Sequence, residues 1–176
     1  MSSYQAHSYG SIFTNLVEIY QPKQIVEFGI LEGYSLRHIL AGTKNYYTVK
    51  VEAYDMFEEY PFRHADLQKL IQEFGRDIIR EGDFYKAYNN FANCEIDFLH
   101  IDISNTGETY KFAFEHYLSK VSPRGLMVLE GGSEARDNIE WMVRYNKKPI
   151  RPVLENSGLR YITLEPYPSL TIVQKG

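Results

Sequence analysis

Apolar positions fall along this chain in two alternating patterns. Short runs of branched and aromatic residues alternate with segments whose apolar residues recur every three or four positions. The runs Gln24–Phe28, Tyr46–Tyr54 closing on Asp55, Asp77–Glu81, Glu95–Asp102 and Gly125–Glu130 predict five strands. Helical spacing appears at Ile12, Leu16, Ile19 and Tyr20 before Pro22, and at Leu36, Ile39 and Leu40 before Gly42. It returns at Leu67, Leu70, Ile71 and Phe74 between an Asp66 cap and Gly75, and briefly at Phe84, Ala87, Tyr88 and Phe91. Asn105 and Glu108 suggest a capping box before Tyr110, Phe114, Tyr117, Leu118 and Val121. Ser133 suits the cap of a helix turning Ala135, Ile139, Met142 and Val143 inward.

YPFRHAD reads as a loop, and YITL and LTIVQ flank EPYPS as a closing hairpin. The order predicts an α/β fold: a Rossmann-like doubly wound sheet of five parallel strands plus a C-terminal antiparallel hairpin. Residues 1–176 are expected to form a single domain, with 1–10 a flexible tail.

The 176 residues suffice for one sizeable core. A net charge of −4 argues against nucleic acid as a partner over the whole surface. No apolar run reaches the length of a membrane span and the N-terminus has no signal pattern, so no membrane partner and a cytoplasmic location are expected. The single Cys94 fits a reducing compartment, and burial before the fourth strand is expected for it.

Chemistry first shows in QIVEFGILEGYSLR. Gly29 and Gly33 permit backbone angles and close approaches that a Cβ would block, and Ser35 suits a helix cap. The loop is G-x-x-x-G, short of a dinucleotide fingerprint, and Glu27 and Glu32 flank the place a pyrophosphate would occupy. Carboxylates there favour a cofactor with cationic groups and no phosphate, such as S-adenosylmethionine.

Each predicted parallel strand ends at a carboxylate: Glu27, Asp55, Asp83, Asp102 and Glu130. In an open parallel sheet, ligands lie beyond the carboxyl ends of the strands. Asp55 then suits both ribose hydroxyls, Asp83 and Phe84 suit the adenine, and Glu27 suits the aminoacyl end. Asp102 and Glu130 are expected nearest the reacting methyl group.

With these pieces the chain resembles a small class I S-adenosylmethionine-dependent methyltransferase, similar to the methyltransferase 24 type with its macrocin and sugar O-methyltransferase-like members. The matching stretches are VEFGILEGYS with Tyr34 and Ser35, VEAYDMF with Asp55 and Met56, EGDF, IDFLHID and PRGLMVLEGG. The resemblance implies a methyl transfer to a small polar acceptor, at a hydroxyl of a sugar-like or nucleotide-like compound. The candidate bases are Asp102, Glu130 and His100, the last of which also reads as a satisfied core histidine. Many relatives bind a divalent metal such as magnesium at the strand ends, where only Asp102 and Glu130 offer ligands here. The His that usually follows the fourth-strand acid is missing from IDISNTGETY.

Arg144, Lys147, Lys148 and Arg151 occur without an intervening acid and read as a solvated helix end or, functionally, as a patch for an anionic acceptor. Ser133, Glu134, Arg136 and Trp141 are candidate acceptor contacts. A homo-oligomer could complete the acceptor site. Two other readings are a non-catalytic S-adenosylmethionine-binding protein and a nicotinamide-dependent oxidoreductase.

Overall fold

The computed structural model describes residues 3–45, 48–57 and 66–176. The expected strand start at Tyr46 and Tyr47, and the loop residues Tyr60–Ala65, lie outside them. The chain divides into two compact units, Met1–Asn90 and Phe91–Gly176.

In the first unit, α1 (Gly10–Tyr20) leads into β1 (Gln24–Phe28), α2 (Tyr34–Gly42) and β2 (Lys50–Asp55). Then follow α3 (Leu67–Phe74), β3 (Ile79–Glu81) and α4 (Phe84–Ala87). The strands lie in the order β3-β2-β1, all parallel, with Phe28 opposite Tyr54 and Ala53 opposite Ile79. Every residue of β1 is buried, the polar Gln24 and Glu27 with the apolar Ile25, Val26 and Phe28, as in a parallel strand covered on both faces.

Two local expectations change in this unit, and one holds. Ser3–His7 form a 3-10 helix rather than a flexible tail, because Tyr4 is fully buried edge-on against Tyr9 and Phe13. The buried face of α1 is Gly10, Phe13 and Val17, while Ile19 is 75% exposed. Asp66 and Gly75 close α3 as the sequence suggests, Asp66 accepting from the Lys69 amide at 3.1 Å.

In the second unit, β4 (Ile96–Ile101) precedes α5 (Gly107–Phe112), which runs on into a π-helical turn over Ala113–Tyr117. β5 (Val121–Glu130) is followed by α6 (Glu134–Asp137), α7 (Glu140–Arg144) and α8 (Arg151–Glu155). The chain closes with β6 (Arg160–Leu164) and β7 (Leu170–Gln174). The order is β4-β5-β7-β6, with β4 and β5 parallel and β7 antiparallel to both its neighbours. The expected hairpin is therefore present, and β7 is its inner strand.

Thr106, not Asn105, caps α5, exchanging bonds with Thr109. The single helix expected after Ser133 is two short ones, and Arg136 and Met142 turn inward while Ala135 and Val143 face out. Cys94 is exposed, in a left-handed turn residue before β4.

Candidate functional site

The turn after β1 is shaped by backbone demands that its sequence meets. Gly29 and Gly33 have φ of +89° and +75°, and Leu31, with a side chain, has +48°. A non-glycine residue held there costs ~1 kcal/mol or more. The compensation comes from Asp55 at the end of β2. Its Oδ2 accepts from the amides of Ile30 and Leu31 at 2.8 and 3.3 Å, and its Oδ1 from those of Met56 and Phe57 at 2.8 and 3.4 Å. A carboxylate offers about four acceptor positions, so these bonds fill it. Asp55 is thus a clasp on the turn in this conformation, rather than the open acceptor expected for two ribose hydroxyls.

Glu27, two residues before the turn, is fully buried, and its Oε1 accepts from the Ser35 hydroxyl at 2.5 Å. Ser35 therefore does not cap α2. Gly33 takes that position, with no side-chain bond. A Cβ on Gly33 would stand 2.7 Å from Phe74 Cε2 and 3.3 Å from Leu70 Cδ2, so α3 covers the turn only because no side chain is there. Tyr34 lies against His38 with ring centroids 4.8 Å apart. These features fit the expected cofactor: a bare-backbone turn bordered by the carboxylates of Glu27, Glu32 and Asp55 suits a cationic, phosphate-free group.

Asp83 caps α4 through the Tyr85 amide at 2.8 Å and pairs with Lys86 at 3.2 Å. Phe84 is buried edge-on against Phe28, with centroids 5.3 Å apart, so its ring belongs mainly to the core.

The second unit gathers its polar groups at the ends of β4 and β5. His100 is fully buried within β4, opposite Val128, and Asp102 follows the strand, partly buried. Asn105 is also fully buried, and its Nδ2 donates to the carbonyls of Ile101 at 3.0 Å and Glu130 at 2.9 Å. One amide group thereby ties the two strand ends together. The Tyr110 hydroxyl donates to the Glu130 carbonyl at 3.1 Å, and burial raises that hydroxyl's pKa well above the tyrosine range.

Glu130 does not present its carboxylate as a base. Arg136 grips it with Nε to Oε1 at 2.6 Å and Nη2 to Oε2 at 3.1 Å, and Nη2 also reaches the Asn105 carbonyl at 3.2 Å. Both side chains are 7% exposed. Burial pushes the Glu130 carboxyl above its usual range, and the guanidinium's hydrogen bond and charge pull it back. The guanidinium lies over the Trp141 ring, 5.8 Å from its centroid, and Lys147 reaches the same ring at 5.6 Å.

Gly131 and Gly132 continue from Glu130 with φ of +104° and +107°. A Cβ on Gly132 would fall 2.2 Å from Thr171 Oγ1, which donates to the Gly131 carbonyl at 2.7 Å. Ser133 caps α6 through the Arg136 amide at 3.1 Å, so it is occupied within the fold. Glu134 remains exposed and pairs with Arg151 at 3.8 Å.

A divalent metal does not fit these residues, because Glu130 is already bonded through both oxygens to a cation. Among the described residues no three His, Cys, Asp or Glu side chains group as a metal site. The basic stretch is exposed and partly neutralised, Arg144 pairing with Glu140 at 3.9 Å and Arg151 with Glu155 at 3.1 Å. Asn105 and Tyr110, read from the sequence as a cap and as part of an apolar helix face, and Thr171, which the sequence did not single out, are further polar members. Their one visible signal is a hydrogen-bonding group set among apolar neighbours.

No curated protein matches the sequence. Solved structures do. The SAH-bound methyltransferase PaMTH1 of Podospora anserina is 16% identical, covering 100% of this chain and 80% of that one at a TM-score of 0.69. An O-methyltransferase from Bacillus cereus in complex with SAH is 18% identical, covering 97% and 81%, also at 0.69. A methyltransferase from Geobacter sulfurreducens is 13% identical, covering 96% and 78% at 0.66. The fold is theirs: α/β, with parallel strands in both units and a C-terminal antiparallel pair. The family described as Methyltransferase domain, the methyltransferase 24 type, matches residues 26–130, more than half of the sequence, and the chain belongs to it.

Proposed function

We propose that this protein is an S-adenosylmethionine-dependent methyltransferase acting on a hydroxyl of a small polar acceptor, a sugar-like or nucleotide-like compound, as a single domain in the cytoplasm. The observation that carries the reading is the Gly29–Gly33 turn, bordered by buried Glu27 and clasped by Asp55. Family membership and the SAH held by two similar structures support the same cofactor. Among the described residues no helix is long and apolar enough to cross a membrane.

The cofactor supplies a methyl group already activated on a sulfonium. What this chain supplies is mostly position, which can account for a large share of a bimolecular barrier. Glu27, oriented by Ser35, provides negative charge for an ammonium group. Asp55 acts through the turn that it holds, with Met56 beside it. Asp83 and Phe84 border the adenine end. Asp102 is the base assigned to the acceptor's proton, since Glu130 is committed to Arg136 and His100 is enclosed in β4.

Calorimetric titration with S-adenosylmethionine and S-adenosylhomocysteine, with NAD as control, tests the cofactor. Saturable binding of both sulfur compounds and none of NAD is expected, and the reverse pattern would make the protein a nicotinamide enzyme. An acceptor screen over sugars and nucleotides, read as S-adenosylhomocysteine release, then tests the chemistry. Binding without turnover on any acceptor would leave a cofactor-binding protein.

A further inference from the structure

We propose that Arg136 is the built-in cation of the second unit's strand ends, filling with its guanidinium the place that the family resemblance gives to a divalent metal. The proposal rests on the methyltransferase reading only for the use of the site. Its test does not need turnover.

Two acids were available for a metal at the strand ends, and the structure commits one of them. Arg136 meets Glu130 in a bidentate pair at 2.6 and 3.1 Å, the geometry that matches a planar guanidinium to a carboxylate. Both partners are almost wholly buried. A buried carboxylate stripped of its counter-charge is costly, so the cation must be permanent or be replaced by another. An arginine is permanent, because it stays charged at every accessible pH.

The remaining contacts of Arg136 enclose it further. Nη2 bonds the Asn105 carbonyl, and Trp141 covers the guanidinium plane at 5.8 Å, where a ring face attracts a cation. Nη1 is buried and finds no hydrogen-bond partner among the described residues. A hard dication would have to expel this side chain before it met Glu130, and would then leave the guanidinium buried without its carboxylate. Gly131 follows Glu130 with no side-chain oxygen, so the β5 end offers the metal only that one carboxylate.

The inference extends to α6. Arg136 is delivered to Glu130 because Ser133 starts a one-turn helix through the Arg136 amide, six residues beyond the acid. The helix and the cation are one device.

The test is a calorimetric titration of the purified full chain with manganese chloride, alongside thermal unfolding and S-adenosylhomocysteine binding with and without EDTA. For the unaltered protein we expect no saturable manganese site at millimolar concentration, and an unfolding midpoint and cofactor affinity indifferent to EDTA. Arg136→Met frees the Glu130 carboxylate, and manganese should then raise its unfolding midpoint. Arg136→Lys restores a cation and should return the protein to indifference. Should Arg136→Met fail to fold, the double variant Glu130→Gln/Arg136→Met, without either buried charge, should fold and bind no manganese. One manganese bound per unaltered chain, and lost in Glu130→Gln, would overturn the proposal. Failure of S-adenosylhomocysteine to bind would instead strike the methyltransferase reading and leave the manganese result standing.

Discussion

The Ser35 hydroxyl donates to the buried carboxylate of Glu27 across 2.5 Å, joining the strand before the glycine turn to the helix after it. Removing that donor leaves a fully buried acid short of a partner, which costs ~1–3 kcal/mol. Ser35→Ala should therefore lower the unfolding midpoint measurably, at about 2–4 °C per kcal/mol for a chain of this size. Ser35→Thr should recover part of the loss. Calorimetric scanning of the three proteins checks this, and an unchanged midpoint in Ser35→Ala would remove the pair from the stability of the turn.

Asp55 closes the same turn from β2, and its substitution should act on cofactor affinity through the backbone. Asp55→Ala gives up four amide bonds, and a loss of one or two charge-assisted bonds at ~1.5–3 kcal/mol each predicts at least tenfold weaker S-adenosylhomocysteine binding. Asp55→Asn keeps one acceptor oxygen and should fall between. Equal affinity of Asp55→Ala and the parent in calorimetry would mean that the turn holds itself.

Gly33 and Phe74 form a steric pair. Gly33→Ala meets both a φ of +75° and a ring atom at 2.7 Å. We expect a loss of ~1–3 kcal/mol from the backbone angle, with the clash added. Phe74→Ala in the same chain should return the clash portion but not the backbone portion, a coupling that a double-mutant cycle in denaturant reads directly. Strict additivity would show that the two do not touch in solution.

Arg37 and Glu73 are bonded across the surface between α2 and α3, with 43% and 34% of their side chains exposed. The hydrogen bond from Arg37 holds the Glu73 carboxyl below its ordinary value. A depressed carboxylate contributes stability above its unfolded pKa and loses it as pH falls through the folded one. The stability difference between the parent and Glu73→Gln should thus be greatest near neutral pH and vanish in acid. Solvent screening limits it to ~0–1 kcal/mol. Denaturant titrations at several pH values check the sign, and a difference that grows in acid would contradict the pair.

What could be read from the sequence was what the chain states locally. Gly29 and Gly33 declare positive φ by themselves, and Asp66 declares a helix start because its partner lies within three residues. Asn105 was misread by the same logic. It looks like a cap, but its amide answers carbonyls at Ile101 and at Glu130, 25 residues away. Arg136 was named as an acceptor contact, since a charge on a helix is ordinarily sent to water, and only the distant, buried Glu130 reverses that. Asp55 shows the limit from the other side, a residue placed rightly at the turn whose oxygens the turn itself consumes. Phe84 and Ser35 changed partners within the neighbourhood foreseen for them.

The sequence holds one tryptophan, and it is the residue covering Arg136. Its indole emission is therefore a private optical channel for that ion pair. Excitation at the red edge of the aromatic band, where the many tyrosines do not absorb, should report the opening of the site around Arg136. Comparison with far-ultraviolet dichroism, which sees both units, would tell whether the two melt in one step or in sequence.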